Sequence, residues 1–194
     1  SMRQIFLLAS FLCSVLLGSP LRAESLRVGF FELAPHVRAG GPGQEASGPA
    51  VDYLRAVAAK MGVEVRIDSE ALPLNRLLYL LDKGEVDLAL ALGRNPERQH
   101  LGNYPPRPFF SIQPAIAVPQ QLPLSAPVHQ KTLRTLRIGV YAAGYMSPLM
   151  QTVDLQKEPL FGSEVVVRNL RKMLLGRLDA VYSPDSWDLR AAAA

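Results

Sequence analysis

Residues 73–98, PLNRLLYLLDKGEVDLALALGRNPER, constrain the fold more than any other stretch of the chain. Leu74, Leu77, Leu78 and Leu81 recur at helical spacing and make one apolar face. Pro73 suits a first-turn position, where no backbone N–H is needed. Gly84 can take the left-handed conformation that ends a helix. Residues 86–92 are then almost continuously apolar, as a parallel strand buried on both faces would be. The loop after such a strand lies at its carboxyl end, where open α/β sheets bind ligands. Arg98 sits in that loop and is a candidate ligand contact.

The phrase occurs twice. Residues 170–183, LRKMLLGRLDAVYS, again run helix, glycine, aspartate, strand. Gly84-Glu85-Val86-Asp87 and Gly176-Arg177-Leu178-Asp179 are the same punctuation. Such an echo suggests two α/β halves of similar design, or two units of one sheet. Asp87 and Asp179 fall at strand starts, far from the carboxyl ends, and read as structural.

The N-terminus has a different character. After Arg3 comes an apolar run of 14 residues, positions 5–18, and then Ser19-Pro20-Leu21-Arg22-Ala23. This is the pattern of a secretory signal peptide, expected to occupy residues 1–23 and to be cleaved after Ala23. A spanning helix wants about 20 apolar residues, so a permanent anchor is the weaker reading. Cleavage would remove Arg3, Arg22 and the only cysteine, Cys13, leaving 19 basic against 17 acidic side chains. No basic stripe remains, which argues against a nucleic-acid partner. An exported chain without disulfides rests on its core, which fits a bacterial periplasm.

From residue 26 the order is strand, long glycine-rich loop (32–48), helix, strand, helix, strand. Pro49, Asp52 and Gly62 mark the first helix, and Ala50, Val51, Leu54, Val57, Ala58 and Met61 make its apolar stripe. A β-α-β-α-β order predicts a parallel sheet with right-handed crossovers. A proline-rich passage follows, then a strand at 114–118 and a linker-like segment at 119–131. The α/β rhythm restarts with a strand at 136–141. Ser147-Pro148 predicts a helix start, residues 165–167 (Val-Val-Val) a strand, 169–175 a helix and 178–183 a strand. The expected division is 24–118 as a first lobe, 119–131 as a hinge crossing and 132–194 as a partial second lobe, with a cleft between them.

In this order the residues resemble a family: the extracytoplasmic solute-binding proteins of ABC transporters, polar-amino-acid type. The matching phrases are Arg27-Val28-Gly29, Ala34-Pro35-His36, Gly48 before a helix with Asp52, Gly84-Glu85-Val86-Asp87, Asn95-Pro96-Glu97-Arg98, Pro108-Phe109-Phe110-Ser111, Arg137-Ile138-Gly139-Val140 and Gly176-Arg177-Leu178-Asp179-Ala180. The resemblance implies the type II periplasmic-binding fold: two lobes, each a small mostly parallel sheet flanked by helices. It implies that Arg98 pairs with a ligand carboxylate, a role suited to a planar bidentate guanidinium. Asn95 stands where the family has a threonine. Phe31 and His36 match the loop that supplies an aromatic wall. Gly144 and Tyr145 match the start of the second-lobe helix, whose amides meet the carboxylate. Asp185 falls one place beyond the family's ammonium-binding aspartate. Relatives continue further, so the second lobe is expected to be incomplete.

No other chemistry is visible in the sequence. His36, His100 and His129 are isolated, and there is no G-x-S-x-G or phosphate loop. A strand, glycines, a helix and Asp68 imitate a dinucleotide fingerprint, but G-x-G-x-x-G is absent. The expectation is a monomeric, non-catalytic periplasmic binder of a small polar solute, an amino acid or related carboxylate, without cofactor or metal. It would deliver the solute to an ABC permease. The alternatives are a dehydratase-like periplasmic enzyme on the same fold and a sensing or accessory module without transport.

Overall fold

A computed structural model describes residues 25–122, 124, 128–152 and 154–194. The expected signal peptide and part of the expected crossing segment lie outside the described residues.

The first half is built as the sequence predicts. Strand β1 (Ser25–Gly29), helix α1 (Pro49–Met61), strand β2 (Glu64–Ile67), helix α2 (Leu74–Asp82) and strand β3 (Leu88–Ala89) follow in turn. The strands form one parallel sheet in the order β2-β1-β3. Pro49 opens α1, and Gly62 closes it in the left-handed conformation at φ 68°. Val28, Phe30, Val37, Val51 and Leu90 form the core beneath the sheet. Strand β3 is shorter than expected. Only two of residues 86–92 pair, because Ala91 turns the chain at φ 60°. The apolar run reported burial there, and Val86 and Leu90 are buried, but not extension.

The second half contains strand β4 (Ala115–Ala117), helix α3 (Gln130–Leu133), strand β5 (Arg137–Tyr141), strand β6 (Gln156–Leu160), helix α4 (Val165–Leu174), strand β7 (Ala180–Ser183) and helix α5 (Ser186–Ala193). Its sheet runs β4-β7-β5-β6, with β4 antiparallel to β7 and the rest parallel. Side chains alternate across β7. Ala180 and Tyr182 join Ile138 and Val140 on one face, while Val181 joins Leu170, Met173 and Leu189 on the other.

Three expectations are corrected here. The boundary at residue 118 would leave β4 with the first sheet, yet its backbone pairs with β7. Residues 165–167 are not a strand but the first turn of α4. Val165, Asn169, Leu170 and Met173 are buried from one helical face, and that packing overrides the β-branched triplet. The strand beside β5 is instead β6, whose Pro159 is admissible because β6 lies at the sheet edge. Ser147-Pro148 opens only a turn, with the Met150 and Gln151 amides donating to Ser147 O.

The sequence echo is a repeated clip. Asp87 Oδ2 accepts from the Arg27 amide (2.8 Å) and Nε (2.9 Å), Oδ1 accepts from Nη2 (2.9 Å), and the Asp87 amide returns a bond to Arg27 O. Asp179 repeats every one of these bonds with Arg137. In each copy the guanidinium also donates to the carbonyl of the helix-ending glycine, Gly84 or Gly176. Two residues after each arginine, a glycine lets a leucine of the helix or of the helix-to-strand connection reach the strand. A Cβ on Gly29 would meet Leu77 Cδ1 at 2.7 Å, and one on Gly139 would meet Leu178 Cδ1 at 2.6 Å. Both aspartates are thus structural, as their position at strand starts predicts.

Candidate functional site

A cleft of about 1430 Å³ runs between the two halves, lined from the first by residues of β3 and the loops around it and from the second by Tyr141, Gly144, Tyr145, Ser183 and Asp188. Among the described residues, three side-chain hydrogen bonds link the halves across it. The Leu74 amide donates to Tyr141 Oη (2.9 Å), whose own hydroxyl donates to Gly162 O (3.1 Å). His36 Nε2 meets Asp185 Oδ2 at 2.7 Å. The Arg98 guanidinium donates through Nη2 to Ala143 O.

Arg98 is positioned by a 3₁₀ helix, residues Pro96–Leu101. Asn95 starts it, and its Oδ1 accepts from the Arg98 amide at 2.9 Å. The Arg98 side chain lines the cleft although the residue is only 4% exposed. Nη1 donates to Gly93 O (3.0 Å), and Tyr104 Oη donates to the same carbonyl (3.1 Å). Among the described residues no carboxylate pairs with this guanidinium. Burial pushes its pKa down, with Tyr104 and Glu97 opposing. An arginine cannot escape by losing its proton, so it remains a buried cation satisfied by neutral carbonyls. Such a group has spare N–H donors and a strong attraction for an anion.

The other expected residues divide. Phe31 lines the cleft, while Phe30, its neighbour just past the end of β1, is fully buried in the core. Tyr145 lines it and packs against Gly93. Gly144 lines it too, but its amide donates to Tyr141 O at 3.0 Å and is engaged in a turn. Asn95, His36 and Asp185 do not line the cleft. Asn95 caps the 3₁₀ helix. His36 stacks on Phe110 (centroids 4.4 Å) and reaches Asp185. Asp185 is fully buried, and its Oδ1 caps α5 by accepting from the Trp187 amide. It therefore ties the halves together rather than facing a ligand.

Two features escaped the sequence reading. Asp188, in the first turn of α5, lines the cleft, and its Oδ2 accepts from Ser183 Oγ at 3.1 Å. Burial pushes its carboxyl up to about 6; the Ser183 hydroxyl opposes this, and Asp185 and Glu32 add to it. Glu32 also lines the cleft, as do Glu70, Asp87 and Glu164, so acids of both halves face the same space as Arg98. The second feature is an aromatic run. Tyr53 stacks on Phe109 (4.8 Å), and Phe109 meets Phe110 edge-on (4.6 Å). Tyr53 and Phe109 stay exposed and line the cleft. The spacing of residues 53 and 109 in sequence carries no signal of this.

Among the described residues no three His, Cys, Asp or Glu converge as metal ligands would, and no helix is long and apolar enough to cross a membrane.

A family model described as bacterial extracellular solute-binding proteins, family 3, matches residues 26–188. A search of curated proteins gives no match. Among solved structures, an ancestral arginine-binding protein bound to glutamine aligns with 21% identity and a TM-score of 0.66, over 89% of this chain and 73% of that one. The arginine-bound form of a truncated arginine-binding protein from T. maritima aligns with 20% identity and a TM-score of 0.67, over 86% and 76%. A solute receptor for L-cysteine of Neisseria gonorrhoeae aligns with 15% identity and a TM-score of 0.64, over 82% and 63%. These likenesses show the fold: two small, mostly parallel sheets flanked by helices, as in type II periplasmic binding proteins.

Proposed function

Because the chain belongs to family 3 of the bacterial extracellular solute-binding proteins, we propose that its cleft binds an amino acid or a related carboxylate. The observation that carries this reading is Arg98, a buried cation at the cleft with no carboxylate partner among the described residues. The ligand carboxylate takes the guanidinium's open donors in a bidentate pair. Asp188 and Glu32 receive the ligand's cationic group. Phe31 and Tyr145 enclose its body. Binding links both halves and favours the closed form, because the closed form alone presents both sets of groups. The protein acts by holding and releasing solute, not by catalysis. It works in the periplasm and hands the solute to an ABC permease.

Isothermal titration against amino acids and small organic acids tests this reading. Arg98→Ala is expected to weaken a positive ligand at least about tenfold, the scale of one lost charge-assisted pair. Arg66→Ala, at an exposed site outside the cleft, should leave it unchanged. Equal loss in both variants, or in neither, removes Arg98 from the site.

A further inference from the structure

Four side chains form one connected network where the two halves meet. His36 of the first half reaches Asp185 Oδ2 of the second at 2.7 Å. The Asp185 amide donates to Ser183 Oγ (3.2 Å), and that hydroxyl donates to Asp188 Oδ2 (3.1 Å). Glu32, also of the first half, lines the cleft with Asp188.

The charges in this network do not balance. Asp185 has its partners: Oδ2 holds the imidazole, and Oδ1 accepts from the Trp187 amide. Glu32 is exposed, and its Oε2 accepts from the Ala39 amide. Asp188 is partly buried and takes its hydrogen bond from a neutral hydroxyl. Among the described residues no cation pairs with it. The titratable groups that face it are Asp185, Glu32 and His36: two carboxyls, and an imidazole that Asp185 already holds. A carboxylate that is poorly hydrated and set among like charges favours its neutral form. Burial accordingly pushes the Asp188 carboxyl up to about 6; the Ser183 hydroxyl opposes this, Asp185 and Glu32 add to it, and His36 opposes it. Either a proton or a cation relieves such a group.

Resting on the carboxylate site proposed above, we propose that an amino acid enters the cleft in exchange for a proton held at Asp188. Arg98 takes the ligand carboxylate, and the ligand ammonium comes to Asp188 with its own protons intact. The O–H bond of the Asp188 carboxyl breaks, and the proton leaves to the buffer. One positive charge enters the network and one leaves it. Below about pH 6 proton and ligand compete, so affinity falls about tenfold for each further pH unit. Above it, affinity is level. Such a protein holds its solute in neutral surroundings and gives it up in acid ones.

The test is isothermal titration of the full chain with L-glutamine, L-arginine and L-cysteine, each at pH 5 and pH 8 in two buffers of different ionisation heat. An amino acid that binds should release close to one proton at pH 5 and close to none at pH 8. Asp188→Asn should bind it more weakly, release no proton and lose the pH dependence. As a second readout, the Asp188 carboxyl carbon of the wild-type protein, followed by NMR at pH 5, should move from its protonated to its ionised position when the ligand is added. Binding with no proton release, or a carboxyl resonance that stays in place, overturns the proposal and leaves the carboxylate site standing. Release that persists in Asp188→Asn comes from another group, such as His36 or Glu32, and overturns it equally. Failure of all three amino acids to bind at pH 8 would overturn the carboxylate site, and the exchange with it.

Discussion

Asp188 shows how one side chain can carry two opposed demands. Its carboxyl is raised from 3.8 to about 6 chiefly by burial. The folded protein thus binds that proton more tightly than the unfolded chain. Between these two values stability falls as pH rises, and above about 6 the full penalty is present. Asp188→Asn should therefore raise the stability of the ligand-free protein at pH 7.5 by up to about 3 kcal/mol. The gain should shrink through pH 6 and vanish near pH 4, as followed by thermal unfolding at each pH. The same substitution should weaken binding of a ligand with a cationic group. A stabilised variant that binds less well is what a site residue gives and a purely structural one does not. Residue by residue, the sequence revealed positions set by local order. That Arg98 lines the cleft was legible because it follows a buried apolar run, and that Phe31 does so because it adjoins the buried Phe30 at the end of β1. Asp188 was not, since an aspartate in a first helical turn already has a sufficient local reason in the helix dipole. Only the packing of α5 against the cleft gives it a second one. His36 and Asp185 were drawn toward the ligand by analogy, but the fold spends them on each other.

At the scale of elements, the two Arg–Asp clips place each helix-ending glycine against its sheet. Their cost of disturbance lies mainly in packing, because the ion pairs themselves are solvent-exposed. Gly139→Ala is the sharper probe. Its new methyl group would meet Leu178 Cδ1 at 2.6 Å and Asn169 Cγ at 2.8 Å, in the buried seam under β5. A loss of about 1–3 kcal/mol is expected in denaturant unfolding. Gly102→Ala, where nothing lies within 4 Å and the backbone is extended, should be near neutral. The glycine punctuation was legible because it repeats. The strand β6 and the helix at residues 165–174 were not, because propensity favours Val-Val-Val as strand, while burial of one helical face decides otherwise. The pairing of β4 with β7 was equally hidden. Register between distant strands is written in tertiary packing, and nothing in Ala115–Ala117 names its partner.

At the scale of the molecule, closure without ligand rests on few contacts. Tyr141→Phe removes the acceptor of the Leu74 amide and the donor to Gly162 O in one step. Each bond is worth on the order of 1 kcal/mol. The ligand-free variant should open, raising the radius of gyration in small-angle scattering, and saturating ligand should restore the compact value. Arg98 is the pivot of this account, since it holds Ala143 O when no ligand is bound and would exchange that carbonyl for a carboxylate when one is. The most direct measurement is a crystal structure with ligand bound. It should show a ligand carboxylate within about 3 Å of two Arg98 nitrogens, the distance of a charge-assisted pair. A ligand seated elsewhere, with Arg98 still donating only to Gly93 O and Ala143 O, would contradict it.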